Sequence, residues 1–351
     1  MRIAVVHNAV SDQSDADERD VLVQADAVCA ALKQLGHKPF LLACTLDLSS
    51  VQNRLTEIQP DIVFNLVESL NGSGRLIHLF PALLDVMGTP YTGSETHALY
   101  FTSHKILAKR RMREARLSTP PWIGPYPPDM TSFEEPQKPA HSSTIKNQKI
   151  QWIVKSLWEH ASIGLNEVEL VLSENADQLQ ALLPKRAPQL GGACFAEAYI
   201  EGREFNLSLL AGPDGPQALA PAEILFEDYP VDKLRIVGYR AKWEEHSYEY
   251  NHTPRNFDFP PRDTPLLLKL EKLAQRCWQV FGLNGYVRVD FRVDSDGEPW
   301  ILEINANPCL SPDAGFAAAL KQSGLSFTEA VRLIVNAALE SRLSGSLQNA
   351  I

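Results

Sequence analysis

The sequence predicts an α/β protein with a parallel sheet at its N-terminus and smaller α+β units after it. Two observations support this class: strand-like and helix-like segments alternate over residues 2–68, and later strands come in pairs joined by turns. With 351 residues, 44% of them apolar, the chain is long enough for two or three domains, each with its own core.

The N-terminal region reads as strand, loop, helix and then two further strands around a helix. The predicted elements, in order, are a strand at 2–7, a polar loop at 8–20, a helix from 21 to 36, a strand at 38–44, a helix at 49–59 and a strand at 61–68. Parallel sheets bind ligands at the carboxyl ends of their strands. We therefore place Glu18, in the first loop, and Glu68, at the end of the third strand, at that edge. The alternative for each is a solvated carboxylate.

The rest of the chain predicts shorter α+β units. Residues 103–117 form a basic helix that contains Lys105, and the Pro- and Ser-rich residues 124–150 form a flexible loop. The further predicted elements are a strand at 151–157, a turn and return strand at 161–171, a helix at 174–185, a strand pair within 194–212, an ordered lid loop at 234–257, and helices at 264–283 and 326–341.

Composition restricts the partners. The formal net charge of −10 argues against nucleic acid and anionic membranes, because phosphate backbones require a basic face. No apolar run is long enough to cross a bilayer, and the first residues do not form a secretory signal, so we expect a cytoplasmic protein with small-molecule partners. The five cysteines are scattered and odd in number, which predicts reduced thiols.

The stretch YVRVDFRVDSDGEPWILEIN, residues 286–305, predicts a hairpin with a polar face. The period of two places these residues on one face of the first strand: Tyr286, Arg288, Asp290 and Arg292. On the return strand Ile301, Glu303 and Asn305 should share a face. Two carboxylates and an amide suit Mg²⁺, with Mn²⁺ as a substitute, and Arg288 could hold a phosphoryl oxygen. The alternative is an exposed hairpin whose charges pair with each other.

Other motifs for phosphate binding or catalysis are incomplete. The segment NGSGRLI has Ile77 where a third glycine would complete G-x-G-x-x-G, and no P-loop sequence occurs. Cys309 has no obvious basic partner and is not expected to act as a nucleophile.

Five stretches together resemble the ATP-grasp superfamily and, within it, the D-alanine:D-alanine ligase family. They are FNLVESLNG, MGTPYTGS, WIVKSLWEHASIG, FAEAYIEGREFN and NGYVRVDFRVDSDGEPWILEINANP. The resemblance implies an ATP-grasp fold with a pre-ATP-grasp domain at 1–95, a central subdomain at 96–190 and a C-terminal subdomain at 191–345, with a lid loop at about 228–260.

The resemblance also implies roles for individual residues. The ATP phosphates would contact Lys105, Lys155 and Lys242. The adenine pocket would be lined by Glu197, Ala198, Tyr199 and Ile200, and the ribose would be held by Glu204. Two Mg²⁺ ions would be ligated by Asp290, Glu303 and Asn305. Arg288 would stabilise an acyl phosphate, and Glu18 would hold the amino group of the first substrate.

Four positions depart from the family pattern, all in amino-acid recognition. Ala161 and Ala314 stand where the family has serines, Trp243 where it has a tyrosine, and Cys309 where it has a glycine. We therefore predict a carboxylate–amine ligase with changed amino-acid specificity. The alternatives are a D-alanine:D-alanine ligase with an unusual pocket and a nucleotide-binding partner that does not catalyse. A homodimer through the N-terminal domain is expected by analogy.

Overall fold

The N-terminal layer of the structure, a computed structural model, is a three-stranded parallel sheet flanked by helices. The structure describes residues 1–11, 14–128, 151–159, 171–172, 176–231 and 233–348. The elements of this layer are β1 (Arg2–Asn8), α1 (Ala16–Gln34), β2 (Lys38–Cys44), α2 (Leu48–Ile58), β3 (Ile62–Leu66) and α3 (Leu79–Met87). The strand order is β2-β1-β3, with both pairs parallel, so the predicted parallel sheet is confirmed.

Four antiparallel strands form a second sheet. Its elements and neighbours are α4 (Thr96–Ser103), α5 (Lys105–Glu114), β4 (Trp122–Tyr126), β5 (Gln151–Ser156), β6 (Val171–Leu172), α6 (Ala176–Arg186) and β7 (Cys194–Ala198). The strand order is β4-β7-β5-β6, and α6 packs its apolar residues on this sheet. The chain then passes at Gly202 into the third sheet.

The third sheet is larger, antiparallel, and holds the predicted hairpin. Its strands are β8 (Arg203–Gly212), β9 (Gly215–Ala218), β10 (Ala222–Ile224), β11 (Arg255–Asn256), β12 (Tyr286–Val293) and β13 (Pro299–Asn305). The remaining helices are α7 (Tyr239–Trp243), α8 (Tyr248–Asn251), α9 (Thr264–Phe281), α10 (Gly315–Gln322) and α11 (Phe327–Gln348). The strand order is β11-β10-β8-β12-β13, so β12 lies between β8 and β13.

The apolar cores explain how the three sheets are held together. One core joins the face of the N-terminal sheet that carries α1 to α10 and α11 from the end of the chain. Tyr286 at the start of β12 belongs to this core, and its hydroxyl donates to Oδ1 of Asn307 at 2.6 Å and lies 3.3 Å from the carbonyl oxygen of Asn65. A second core lies under the large sheet, between it and α4, α5 and α9. The third strand of the N-terminal sheet is therefore fixed against the hairpin.

Three predicted boundaries are wrong. Glu18 lies in the first turn of α1 and not in a loop, since the helix begins at Ala16, where acidic residues complement the positive end of the helix dipole. The helix predicted at 103–117 is interrupted at His104, whose extended backbone separates α4 from α5. Residues 124–126 belong to β4, whereas the rest of the predicted loop from 129 to 150 lies outside the described residues.

The predicted lid segment contains two short helices and β11 in its described part. The predicted turn at 161–170 lies outside the described residues. Of the helices in the described ranges, none combines the length and the apolar character needed to cross a membrane.

Candidate active site

A cavity of about 1450 Å³ lies between the three sheets and brings most of the predicted site residues together. The predicted residues that line it are Glu18, Lys105, Lys155, Glu197, Tyr199, Ile200, Glu204, Lys242, Arg288, Asp290, Glu303 and Asn305. Ala198 is not among the lining residues, because its side chain packs into the core of the second sheet. The volume exceeds that of an ordinary small-molecule pocket and can hold a nucleotide together with other substrates.

The hairpin β12–β13 supplies the acidic wall of the cavity. The valines and Phe291 of β12 point into the core beneath, as the period of two predicts. On β13 the register shifts at Asp290/Phe291, so that Asp290 pairs with Glu303 while Phe291 pairs with Ile301. This bulge places Ile301 in the core and Leu302 on the cavity, so the prediction that Ile301 shares a face with Glu303 is wrong.

Asp290 is held by four hydrogen bonds. Arg288 donates from Nε to Oδ1 (2.7 Å) and from one terminal nitrogen to Oδ2 (2.8 Å). Asn206 on β8 donates to Oδ1 at 2.7 Å, and Asn305 donates to Oδ2 at 3.1 Å. Asn206 was missed by the sequence analysis, although it lies in one of the stretches that carry the resemblance.

Carboxylates and one amide are the hard oxygen donors of this wall. In the described part of the chain no three His, Cys, Asp or Glu side chains form a metal-binding group by themselves. Asp290, Glu303 and Asn305 nevertheless lie together on paired strands at the cavity, and two carboxylates with an amide oxygen fit Mg²⁺ that also binds substrate phosphates.

Glu303 lies among the cations of the site. Burial lowers the pKa of Lys105 and of Lys242, and the Glu303 carboxylate opposes this shift in both. Lys105 also donates to the carbonyl oxygen of Glu159 at 2.6 Å. Lys242 comes from α7 in the lid segment, and α7 contacts α1 through a hydrogen bond of 3.2 Å from Tyr239 to Asp17. Lysines from distant parts of the chain thus approach one carboxylate.

Glu197 on β7 joins two lysines. Lys155 on β5 donates to its Oε1, and Lys109 on α5 approaches its Oε2 at 2.6 Å. The sequence analysis missed Lys109. Its position offered a signal, because Lys109 lies three residues after Ile106 and three before Met112, on the apolar face of α5, where a lysine is unusual. Burial would raise the pKa of Glu197, but the two lysines bring it below its ordinary value.

Glu204 on β8 is paired with Arg292, which the sequence analysis placed on the polar face of the first hairpin strand without giving it a role. Arg292 contacts Oε2 of Glu204 at 2.9 Å and donates to the carbonyl oxygens of Gly202 (3.0 Å) and Arg235. Because Arg235 belongs to the lid segment, Arg292 connects that segment to the floor of the cavity. Burial raises the pKa of Glu204, and Arg292 opposes the shift.

The opposite end of the cavity is acidic and lies at the carboxyl end of β3. Glu68 accepts a hydrogen bond of 2.8 Å from Gln24, which also donates to Asp20 at 3.2 Å. Asp20 in turn accepts hydrogen bonds from Cys309 (3.0 Å) and Ser311 (2.7 Å). Burial raises the pKa of Glu68 to about 7 and that of Cys309 well above its usual value, so this thiol remains protonated.

Three of the positions that depart from the family pattern line the cavity: Trp243, Cys309 and Ala314. Cys309 lies at the acidic end through its contact with Asp20. Glu18 also lines the cavity, from the first turn of α1. Ala161 lies outside the described residues.

The fold and the site define an ATP-grasp protein, in which a large and a smaller antiparallel sheet enclose a cavity lined by lysines and carboxylates. A model of the family described as D-ala D-ala ligase C-terminus matches residues 112–336. The chain therefore belongs to the D-alanine:D-alanine ligase family, a family of ATP-dependent ligases.

Individual relatives agree with this assignment along almost the whole chain. The D-alanine–D-alanine ligase of Moorella thermoacetica is 30% identical over 348 residues, covering 97% of this chain and all of the relative. The uncharacterized protein y4sG of Sinorhizobium fredii is 27% identical, covering 90% of this chain and 87% of the relative. The structure of the Bacillus anthracis D-alanine–D-alanine ligase complexed with ATP superimposes with a TM-score of 0.71 at 18% identity, covering 98% of this chain and 99% of that structure, and so has the same fold.

Proposed function

We propose that the protein is an ATP- and Mg²⁺-dependent ligase that joins the carboxylate of one amino-acid-like substrate to the amine of another. The observation that carries the proposal is the convergence of three lysines, Lys105, Lys155 and Lys242, on the acidic face of the β12–β13 hairpin across one cavity. A polyphosphate needs both parts, cations for its charge and oxygen donors for its metal ions.

The proposed reaction has two steps. The carboxylate of the first substrate attacks the γ-phosphate of ATP, forming an acyl phosphate and ADP. The amine of the second substrate then attacks the acyl carbon, the C–O bond to phosphate breaks, and an amide and inorganic phosphate are released. The residues of the cavity orient the substrates and neutralise their charge, which is the main requirement of phosphoryl transfer.

Asp290, Glu303 and Asn305 would hold the metal ions. When bound, Mg²⁺ withdraws charge from the phosphate oxygens and orients them for attack. Both oxygens of Asp290 already accept two hydrogen bonds each, so at least one donor must leave when a metal ion binds. Arg288 is the donor that we expect to move, because its planar guanidinium can then bind the transferred phosphoryl oxygens.

The acidic end of the cavity would bind the amino-acid part of the substrates. Glu18, at the start of α1, is a suitable partner for a substrate ammonium group. D-alanine is a specific candidate substrate, because the relatives that match the full length of the chain carry the name D-alanine–D-alanine ligase. The replaced side chains favour an amino acid other than D-alanine. Trp243 and Ala314 lack the hydroxyl groups of the tyrosine and serine they replace, and Cys309 adds a side chain where the family has a glycine, so different substrate groups are recognised.

The test is ATP turnover in the presence of Mg²⁺, with ADP and AMP separated by chromatography. A panel of amino acids is supplied singly and in pairs, beginning with D-alanine alone. We expect release of ADP, without AMP, only with a productive substrate or pair, and mass spectrometry of the product then identifies the amide. ADP release and a D-alanine dipeptide from D-alanine alone would assign the protein to the activity named for its relatives.

Two variants make the assay specific to the site. Asp290→Asn removes a proposed metal ligand and should reduce turnover by at least about 100-fold, the range seen when electrostatic groups of an active site are removed. Asp214→Asn makes the same chemical change in an exposed turn and should leave turnover unchanged. ATP binding without turnover for any pair of the panel, together with an Asp290→Asn variant that retains cellular function, would support a non-catalytic nucleotide-binding role.

A further inference from the structure

A buried group of three charges lies behind the lysine that faces the cavity. Glu197 is 3% exposed and its carboxylate is shared by Lys109, whose side chain is 1% exposed, and Lys155, whose side chain is 19% exposed. Lys155 lines the cavity, whereas Lys109 lies on the far side of Glu197 and is not part of the wall. The two lysines therefore have different access to a ligand.

Lys109 is fixed by its remaining contacts. Besides approaching Glu197 at 2.6 Å, its ammonium group donates to Oγ1 of Thr119 at 2.8 Å and to the carbonyl oxygen of Pro120 at 3.2 Å. These three acceptors match the three hydrogens of an ammonium group. Thr119 itself donates to the carbonyl oxygen of Ile301 on β13 at 2.8 Å, so the group is also tied to the acidic hairpin.

The number of charges in the group determines what Lys155 can do. One carboxylate with one lysine would be a neutral pair, and the charge of Lys155 would be used inside the protein. Burial lowers the pKa of Lys109 to about 8, and Glu197 opposes the shift, so Lys109 is still mostly protonated at pH 7. With Lys109 present there are two cations for one anion, and the excess positive charge is available only at the lysine that reaches the cavity. Burial would lower the pKa of Lys155, but Glu197 raises it above its ordinary value.

We propose that Lys109 is a positioning residue of the nucleotide site, which neutralises Glu197 from behind and so leaves the positive charge of Lys155 available to a phosphate group of ATP. This inference rests on the proposed function, which assigns Lys155 to the phosphates. Lys109 touches neither substrate nor reacting atoms. Its effect is transmitted through the Glu197 carboxylate.

The test is the affinity for Mg-ATP, measured by isothermal titration calorimetry on the full-length protein. Lys109→Met should weaken binding by about tenfold or more, the size of one charge-assisted hydrogen bond, because Lys155 then forms a neutral pair with Glu197. Once the substrates are known, KM for ATP should rise while KM for the amino-acid substrates stays unchanged. Arg110→Met, which removes a cation from the next position of the same helix, should leave both affinities unchanged.

A double variant separates the charge from the packing. Lys109→Met combined with Glu197→Gln is compared with Glu197→Gln alone, because Glu197 itself lines the cavity and its replacement can have an effect of its own. If Lys109 acts through the Glu197 carboxylate, the two variants should bind Mg-ATP with equal affinity. A further tenfold loss in the double variant would overturn the inference, since Lys109 would then act through packing. The comparison holds even if Lys109→Met alone does not fold.

The outcome for the unmodified protein distinguishes this inference from the proposed function. If the unmodified protein does not bind Mg-ATP, the proposed function fails and the inference fails with it. If the unmodified protein binds Mg-ATP and Lys109→Met binds equally well, only the inference about Lys109 is overturned.

Discussion

Replacement of Arg292 by methionine tests how a buried ion pair holds the floor of the cavity. Arg292 is 3% exposed, and its loss leaves the carboxylate of Glu204, itself 8% exposed, without its cation. The carbonyl oxygens of Gly202 and Arg235 lose a donor at the same time. Removing one partner of a buried pair costs about 3–5 kcal/mol, because the remaining charge is desolvated and unpaired.

We therefore expect Arg292→Met to lower the free energy of unfolding by about 3 kcal/mol, at the lower end of that range because Glu204 borders the cavity. The assay is urea denaturation at pH 7, followed by circular dichroism and tryptophan fluorescence so that coincident transitions can be verified. The double variant Arg292→Met with Glu204→Gln should regain part of the loss, since the unpaired charge is gone. Lys269→Met is the control: its partner Glu298 is well exposed, and a surface pair contributes at most about 1 kcal/mol.

A loss below about 1 kcal/mol for Arg292→Met would refute this reasoning, because it would mean that the Glu204 carboxylate is solvated by water in the cavity. A double variant no more stable than Arg292→Met would refute it in a second way. It would show that the carbonyl contacts, and not the ion pair, are what Arg292 contributes.

Three further predictions concern stability. Tyr286→Phe should cost about 1–2 kcal/mol in the free energy of unfolding, because the buried hydroxyl no longer donates to Oδ1 of Asn307. Gly202→Ala should cost about 2–4 kcal/mol in the free energy of unfolding, because Gly202 has a φ of +145° and an added Cβ would lie 1.9 Å from the carbonyl oxygen of Val293. Gly297→Ala is the control. Its φ is +79° but an added Cβ would meet nothing within 4 Å, so it should cost only about 1–2 kcal/mol. Glu68 has a folded-state pKa of about 7 against 4.5 unfolded, so the stability of the wild type relative to Glu68→Gln should fall by about 3 kcal/mol as pH rises from 4.5 to 7.

Each of these predictions has a result that contradicts it. A Tyr286→Phe variant as stable as the wild type would mean that water reaches Oδ1 of Asn307. Equal losses for the two glycine variants would remove the steric argument. For Glu68, the wild type and Glu68→Gln should show a constant difference in stability from pH 4.5 to 7 if the carboxyl is in fact well solvated.

The sequence determined the chemistry of the acidic hairpin. The alternation in YVRVDFRV predicted that the valines and Phe291 of β12 enter the core under the large sheet, because side chains of a strand alternate with a period of two. It did not predict that Tyr286, on the other face, would be buried in the core shared with the N-terminal sheet. The order of strands and helices likewise predicted the parallel N-terminal sheet. The motifs that carry the family resemblance also include nine of the twelve predicted site residues that line the cavity, all except Glu18, Lys105 and Lys242.

The tertiary structure decided how these residues are paired and which others support them. The bulge that places Ile301 in the core depends on the fit between two strands, which local alternation cannot reveal. Lys109 and Arg292 acquire their roles only because folding brings the carboxylates of Glu197 and Glu204 beside them in a desolvated interior. The sequence thus specified which charged side chains the site contains. The packing of distant segments decided which of these charges are neutralised and which remain available to a ligand, because side chains become buried and close to one another only in the folded chain.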